Sequence, residues 1–131
     1  MAKKQIATFL GTQPGLSIAG DYCYAYSGII SDASSGSAAS TLLKFTTGKY
    51  TSVVDCYLFT DRMNGNALYL SVTMNGTIVY QGAWDNSPSK VEGGGPLVAF
   101  VIPWNTSFEI KWGASGGTYN ATCALTGRVY R

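Results

Sequence analysis

The stretch Leu68–Gly82, LYLSVTMNGTIVYQG, decides how the rest of the chain is read. It alternates up to Asn75-Gly76, with Leu68, Leu70, Val72 and Met74 on one side and Tyr69, Ser71 and Thr73 on the other. That is the period of a strand with one buried face. Asn-Gly tolerates positive φ at both central positions of a type I′ turn, so the stretch predicts a two-residue β-hairpin. Without further irregularity this turn sets Met74 opposite Thr77, Thr73 opposite Ile78, Val72 opposite Val79 and Ser71 opposite Tyr80. Val79 then joins the core face, while Tyr69 and Tyr80 belong to a second face that is more aromatic than a solvated sheet needs.

Similar patterns recur on both sides of the hairpin. Asp21–Ile30 alternates a tyrosine row, Tyr22, Tyr24 and Tyr26, with the small residues Cys23, Ala25 and Ser27. The small polar run 31–40 reads as a loop. Thr41–Thr47 follows, with Leu43 and Phe45 facing inward, until Gly48 interrupts it. Tyr50–Thr60 sets Val54, Cys56 and Leu58 against Val53, Asp55, Tyr57 and Phe59. Residues 61–66 and 85–95 are turn-rich, the latter carrying Pro88 and three successive glycines. Leu97–Ile102 is continuously apolar, which predicts a strand crowded on both faces before Pro103 ends its pairing. Ser107–Trp112 turns Phe108, Ile110 and Trp112 inward, and Asn120–Tyr130 does so with Ala121, Cys123, Leu125 and Val129. The core is expected to contain Val54, Leu58, Leu70, Val72, Val79, Phe100, Ile110, Leu125 and Val129.

About eight strands and no helix of ordinary length make this an all-β chain. Long loops before the second and sixth strands suit Greek-key crossings between two sheets. The expected fold is therefore a jelly-roll-like antiparallel β-sandwich. An immunoglobulin-type sandwich is the alternative, but its Cys–Trp–Cys order is missing. Residues 1–20 lack sheet periodicity apart from a short strand-like run at Ile6–Leu10. They are read as an N-terminal arm preceding a sandwich domain of residues 21–131. Ile6, Phe9, Leu10, Leu16 and Ile18 are its candidate docking anchors.

The 131 residues are enough for one domain with its own core. Charged residues make up 12% and the net charge is +2, with the basic side chains scattered. No footprint for nucleic acid follows from that distribution. No stretch has the length of a membrane-spanning helix. Met1–Lys4 and the short run after it do not resemble a secretory leader, so folding in a cytosol is expected. The three cysteines, Cys23, Cys56 and Cys123, fall inside strand-like runs and are read as reduced core residues.

The chain contains no histidine, which removes Ser-His-Asp and Cys-His catalysis and most zinc sites. Asp55 with Asp61, or Asp85 with Glu92, could form a carboxylate pair in principle, but solvated loop charges explain them better. Gly93-Gly94-Gly95 precedes Pro96 and a strand rather than a helix N-terminus, so it is no phosphate cradle. No catalytic residue, cofactor or metal site is assigned, and the chain is not expected to be an enzyme. The aromatic residues are the better lead, because Tyr and Trp bury large area while keeping a polar handle. Tyr22, Tyr24, Tyr26, Tyr69 and Tyr80 are the candidate oligomer interface, with a homotrimer as the expected assembly.

Four segments carry a family resemblance. They are Tyr24–Gly28 (YAYSG), Leu43–Gly48 (LKFTTG), Ile102-Pro103, and Leu125–Tyr130 (LTGRVY). In their order and approximate spacing over residues 22–130 they resemble small virion proteins of marine tailed phages. Arg131 at the end and Trp104 after Pro103 depart from that pattern. The resemblance implies a jelly-roll-like protein on the outside of a virion, either a capsid decoration or the knob of a head or tail fibre. With the oligomer and the cytosolic folding read above, the chain is expected to fold in the host cytoplasm and to decorate or stabilise the capsid as a homo-oligomer. Its partners would be other copies of itself and the major capsid protein or another virion protein. The alternative is a carbohydrate- or receptor-binding module such as a fibre tip, with a glycan as ligand.

Overall fold

The computed structural model describes residues 15–33, 36–60, 67–84 and 96–130. These form ten strands: β1 (Ser17–Ala19), β2 (Tyr22–Tyr26), β3 (Ile30–Ala33), β4 (Ser40–Thr46), β5 (Thr51–Thr60), β6 (Leu68–Met74), β7 (Thr77–Trp84), β8 (Pro96–Ile102), β9 (Ser107–Ala114) and β10 (Thr118–Tyr130). Sheet A has the order β1-β2-β10-β5-β8, with β3 also paired to β10, and sheet B has the order β4-β9-β6-β7. All pairs are antiparallel. From β3 onward, every connection except the β6–β7 hairpin passes from one sheet to the other. This interleaved winding is a jelly roll, as the sequence predicts, with β1 and β3 added as short edge strands.

The hairpin forms at the expected turn. Asn75 and Gly76 have φ of 50° and 82°, the left-handed values a type I′ turn requires. Asn75 also ties the tip to β9: its backbone N–H donates to the Ser107 carbonyl at 2.8 Å, and its Oδ1 accepts from the Ser107 N–H at 2.9 Å. The register departs from expectation after one step. Met74 faces Thr77 and Thr73 faces Ile78, but Val72 then faces Tyr80 and Ser71 faces Gln81. A bulge leaves Val79 without a cross-strand partner, and it is 47% exposed rather than in the core. An extra residue in one strand reverses the facing of everything beyond it, so Tyr80 swings inward against Phe100.

Three further readings are corrected. Asp21–Ile30 is not one strand, and the expected loop after it contains β3. Gly28, at φ 73°, breaks the run, and Ser27 bridges the gap. The Ser27 N–H donates to the Cys123 carbonyl at 2.9 Å, while its Oγ accepts from the Cys123 N–H at 2.8 Å. Thus β2 and β3 share one side of the long strand β10. Strand β8 is buried on one face: Phe100 and Ile102 point inward, whereas Val101 is 60% exposed. Nothing among the described residues covers the outer face of sheet A there, so continuous apolarity did not mean burial on both sides. Finally, Ser17–Ala19 pairs with β2, and Leu16 and Ile18 pack against the core. Those two candidate anchors therefore sit in the sandwich itself, while Ile6, Phe9 and Leu10 lie outside the described residues.

The core fills the space between the sheets. Cys23, Ala25, Val54, Cys56, Leu58, Phe100, Cys123, Leu125 and Val129 come from sheet A, and Leu43, Phe45, Leu70, Val72, Phe108, Ile110 and Trp112 from sheet B. The ring contacts of Phe108 with Phe45 at 5.2 Å and with Phe100 at 5.6 Å tie the two layers together. Asp32, though buried, is held by polar partners: its carboxylate accepts from Ser40 Oγ at 2.7 Å and from the Ala114 N–H at 3.0 Å. This pins β3 to sheet B, as a buried carboxylate requires.

Candidate interaction face

The two sheets present opposite surfaces to the outside. On sheet B the outward positions of β4, β9 and β6 are mostly polar, while β7 exposes Ile78 and Val79. Lys44, Glu109 and Thr73 are neighbours across β4, β9 and β6, and Lys111, Ser71 and Gln81 across β9, β6 and β7. Glu109 accepts a hydrogen bond from Thr41 at 2.8 Å. Apart from Tyr69 and the apolar edge at Ile78 and Val79, this is a solvated polar face.

Sheet A is different. Cys23 and Ala25 point inward, so alternation turns Tyr22, Tyr24 and Tyr26 outward. The registers across the central strands extend this row into a surface. Tyr22 neighbours Arg128, which neighbours Val53, which neighbours Val101. The next row is Tyr24, Thr126, Asp55 and Ala99, and the one after it Tyr26, Ala124 and Tyr57. Phe59 lies beside Thr122, and Tyr130 beside Thr51. Tyr22, Tyr26, Val53, Phe59, Val101 and Tyr130 are all exposed. Tyr24 and Tyr26 lean together with ring centroids 5.3 Å apart, and the Arg128 guanidinium lies 5.0 Å above the Tyr22 ring. That cation–π contact draws the arginine toward β2. Gly127 permits the close approach of β10 to β5: a Cβ there would meet the Val53 carbonyl oxygen at 1.9 Å.

The five tyrosines singled out from sequence therefore do not share one face. Tyr22, Tyr24 and Tyr26 do, on sheet A. Tyr69 lies on the outer side of sheet B, and Tyr80 is turned toward the core by the bulge. Val53, Tyr57, Phe59, Val101 and Arg128 complete the face in their place. The signal for Val53, Tyr57 and Phe59 was present in the alternation of Tyr50–Thr60, but which strands adjoin the tyrosine row is a matter of sheet order. A shallow cavity of about 240 Å³ lies at one end of the face, lined by Ile29, Phe59, Thr60, Asn120, Ala121 and Thr122. Trp104 is exposed on the turn after β8.

The thiols are structural in character. All three cysteines are free and buried, and the Cys56 and Cys123 sulfurs lie 3.6 Å apart on the inner side of sheet A. The hydrogen bond with Cys56, and then burial, push the Cys123 thiol far above the ordinary thiol range. Burial also raises Cys23, partly offset by the Ser52 side chain. Thiols held protonated in this way are poor nucleophiles and metal ligands. Among the described residues there is no group of three His, Cys, Asp or Glu side chains placed to hold a metal ion.

The molecule is thus a jelly-roll β-sandwich whose most distinctive exterior feature is a broad aromatic sheet face. No protein-family model matches the chain, and no curated protein matches its sequence. Its structure is similar to that of the VP2 subviral particle of infectious bursal disease virus, with a TM-score of 0.52 and 18% identity over 85% of this chain and 34% of that one. A structure of the Gx strain of the same virus aligns with a TM-score of 0.48 and 14% identity over 92% of this chain and 35% of that one. The likeness is one of fold, and the chain spans about a third of the length of those chains.

Proposed function

We propose that the chain is a structural protein on the outer surface of a virus particle, decorating or stabilising the capsid as a homo-oligomer. The observation that carries this is the outer face of sheet A, where Tyr22, Tyr26, Val53, Phe59 and Val101 are exposed together across four strands, whereas sheet B exposes large apolar side chains mainly at its β7 edge. Monomeric proteins rarely leave a continuous apolar patch beyond a few hundred Å² uncovered. The jelly-roll likeness to a viral particle protein agrees with this reading. The sequence resemblance further suggests a marine tailed phage as its source, and folding in the host cytoplasm is part of the same reading. The major capsid protein, or another virion protein, would be the second partner, contacted through Ile6, Phe9 and Leu10. The test is to image virions with the gene present and with it deleted. Loss of a discrete outer density on deletion supports the proposal; particles identical in both cases refute it. Deleting residues 2–14 leaves β1 intact and should remove the density while the protein still folds.

A second reading, a glycan-binding module such as a fibre tip, is favoured by the shallow cavity. It combines the Phe59 ring with the Asn120 and Thr122 side chains, the mixture of apolar plate and polar groups that sugars require. Host surface glycans added to labelled protein should shift Phe59 and Asn120 resonances if this is correct. No shift at millimolar glycan would dismiss it.

A further inference from the structure

We infer that the outer face of sheet A is where copies of this chain meet each other, with Arg128 of one copy pairing with Asp55 of its neighbour. This rests on the self-association proposed above and says which surface, which residues and which chemistry produce it. Among the described residues two positions on the face are charged, one of each sign. Asp55 lies opposite Thr126 and Arg128 opposite Val53, so they are diagonal neighbours on adjacent strands near the centre of the patch. They form no ion pair with each other: Arg128 is drawn to the Tyr22 ring on the far side of β10. Among the described residues Asp55 has no hydrogen-bond or ion-pair partner.

A face bearing one cation and one anion amid aromatic side chains is complementary to itself. A two-fold axis lying between two such faces, midway between Asp55 and Arg128, sets each aspartate over the other copy's arginine and makes the pair twice. Such a face favours a two-fold pair over the trimer expected from sequence, because a ring needs two separate patches on each copy. A guanidinium held over the Tyr22 ring still has N–H groups with which to grip a carboxylate through two hydrogen bonds. A strongly acidic or basic partner would meet one matching and one opposing charge here, so the balance favours a second copy over a charged stranger.

The size of the face agrees. Four strands spaced about 4.8 Å apart and three to four rows about 6.8 Å apart cover roughly 20 by 20 Å in projection. The relief of the side chains brings the accessible area above that projection, which puts the contact at the small end of specific interfaces. Tyr and Arg are also the residue types on which interface energy concentrates.

The test is sedimentation of the purified full-length protein at micromolar concentration, with charge reversal at the pair. The wild type should sediment as a dimer or larger closed assembly. Arg128→Glu or Asp55→Arg alone should weaken association by roughly tenfold or more. The double variant Asp55→Arg/Arg128→Glu should recover most of it. Both positions are exposed, and unchanged circular dichroism confirms that each variant folds. A monomeric wild type, single reversals that associate normally, or a double variant as weak as the singles would each overturn the inference. A monomeric chain that still decorates particles would remove this contact and leave the virion reading standing.

Discussion

Replacing Gly127 by alanine should be among the most damaging single-methyl changes available in this protein. Gly127 sits in mid-β10, with Cys23 of β2 on one side and Val54 of β5 on the other. An added Cβ would lie 1.9 Å from the Val53 carbonyl oxygen, 2.6 Å from the Val54 Cα and 2.8 Å from the Val53 carbonyl carbon. All three are backbone atoms, so no side-chain rotation relieves the overlap. Restoring an ordinary contact of 3.4 Å means moving the two strands apart by about 1.5 Å. A ladder hydrogen bond near 2.9 Å does not survive such a shift. Losing one in a buried sheet, at about 1–3 kcal/mol for each of the two groups left unpaired, gives a cost of roughly 2–6 kcal/mol. The unfolded-state effect of Gly→Ala runs the other way, by about 0.4–1 kcal/mol, and is too small to compensate. Gly48→Ala is the control, because nothing lies within 4 Å of its added Cβ and its φ is not positive. Urea unfolding followed by tryptophan fluorescence should show a large fall in midpoint for Gly127→Ala and a change within about 0.5 kcal/mol for Gly48→Ala. A Gly127→Ala variant as stable as the wild type would refute the close approach.

Further outcomes are expected on the same assay. Leu70→Ala, at a fully buried position, should cost about 2–5 kcal/mol, whereas Val79→Ala on the bulge should stay within about 0.5 kcal/mol; equal losses would mean that Val79 is in the core after all. Asn75→Ala should cost about 1–3 kcal/mol, since it loses both the favoured left-handed residue and the acceptor for the Ser107 N–H, while Asn75→Gly should recover the backbone part. Stability should fall as pH rises above the ordinary thiol pKa of about 8.5. The raised thiols of Cys23 and Cys123 keep their protons in the folded chain, and the unfolded chain loses them, so each contributes a decline of up to about 1.4 kcal/mol per pH unit. A Cys23→Ala/Cys123→Ala variant with the same alkaline slope would show that other groups are responsible.

Local pattern was enough for most of the fold. Asn75-Gly76 between alternating runs specified the hairpin, and the alternation within Tyr50–Thr60, Ser107–Trp112 and Asn120–Tyr130 specified which side chains are buried. Two kinds of information were not local. One is a shift of register. No residue type marks the extra position at Val79, because a bulge is selected by how β7 must bend to follow β6, and its effect is to exchange the roles of Val79 and Tyr80. The other is the identity of the uncovered face. Whether Val101 is buried depends on whether anything packs over that side of β8, and a run of apolar residues is the same in both cases.

By itself, then, the sequence determined the class of fold, the inward side chains of most strands, the reduced cysteines and the absence of histidine chemistry, because these depend on residue type and on a period of two. Tertiary structure alone decided that Tyr22, Tyr24 and Tyr26 stand beside Arg128, Asp55, Tyr57 and Val101 while Tyr69 and Tyr80 lie elsewhere. The reason is geometric. Strands β2, β10, β5 and β8 are far apart along the chain and become neighbours only through the crossings of the jelly roll. A surface assembled from four separate segments is therefore set by strand order, which no one of those segments encodes.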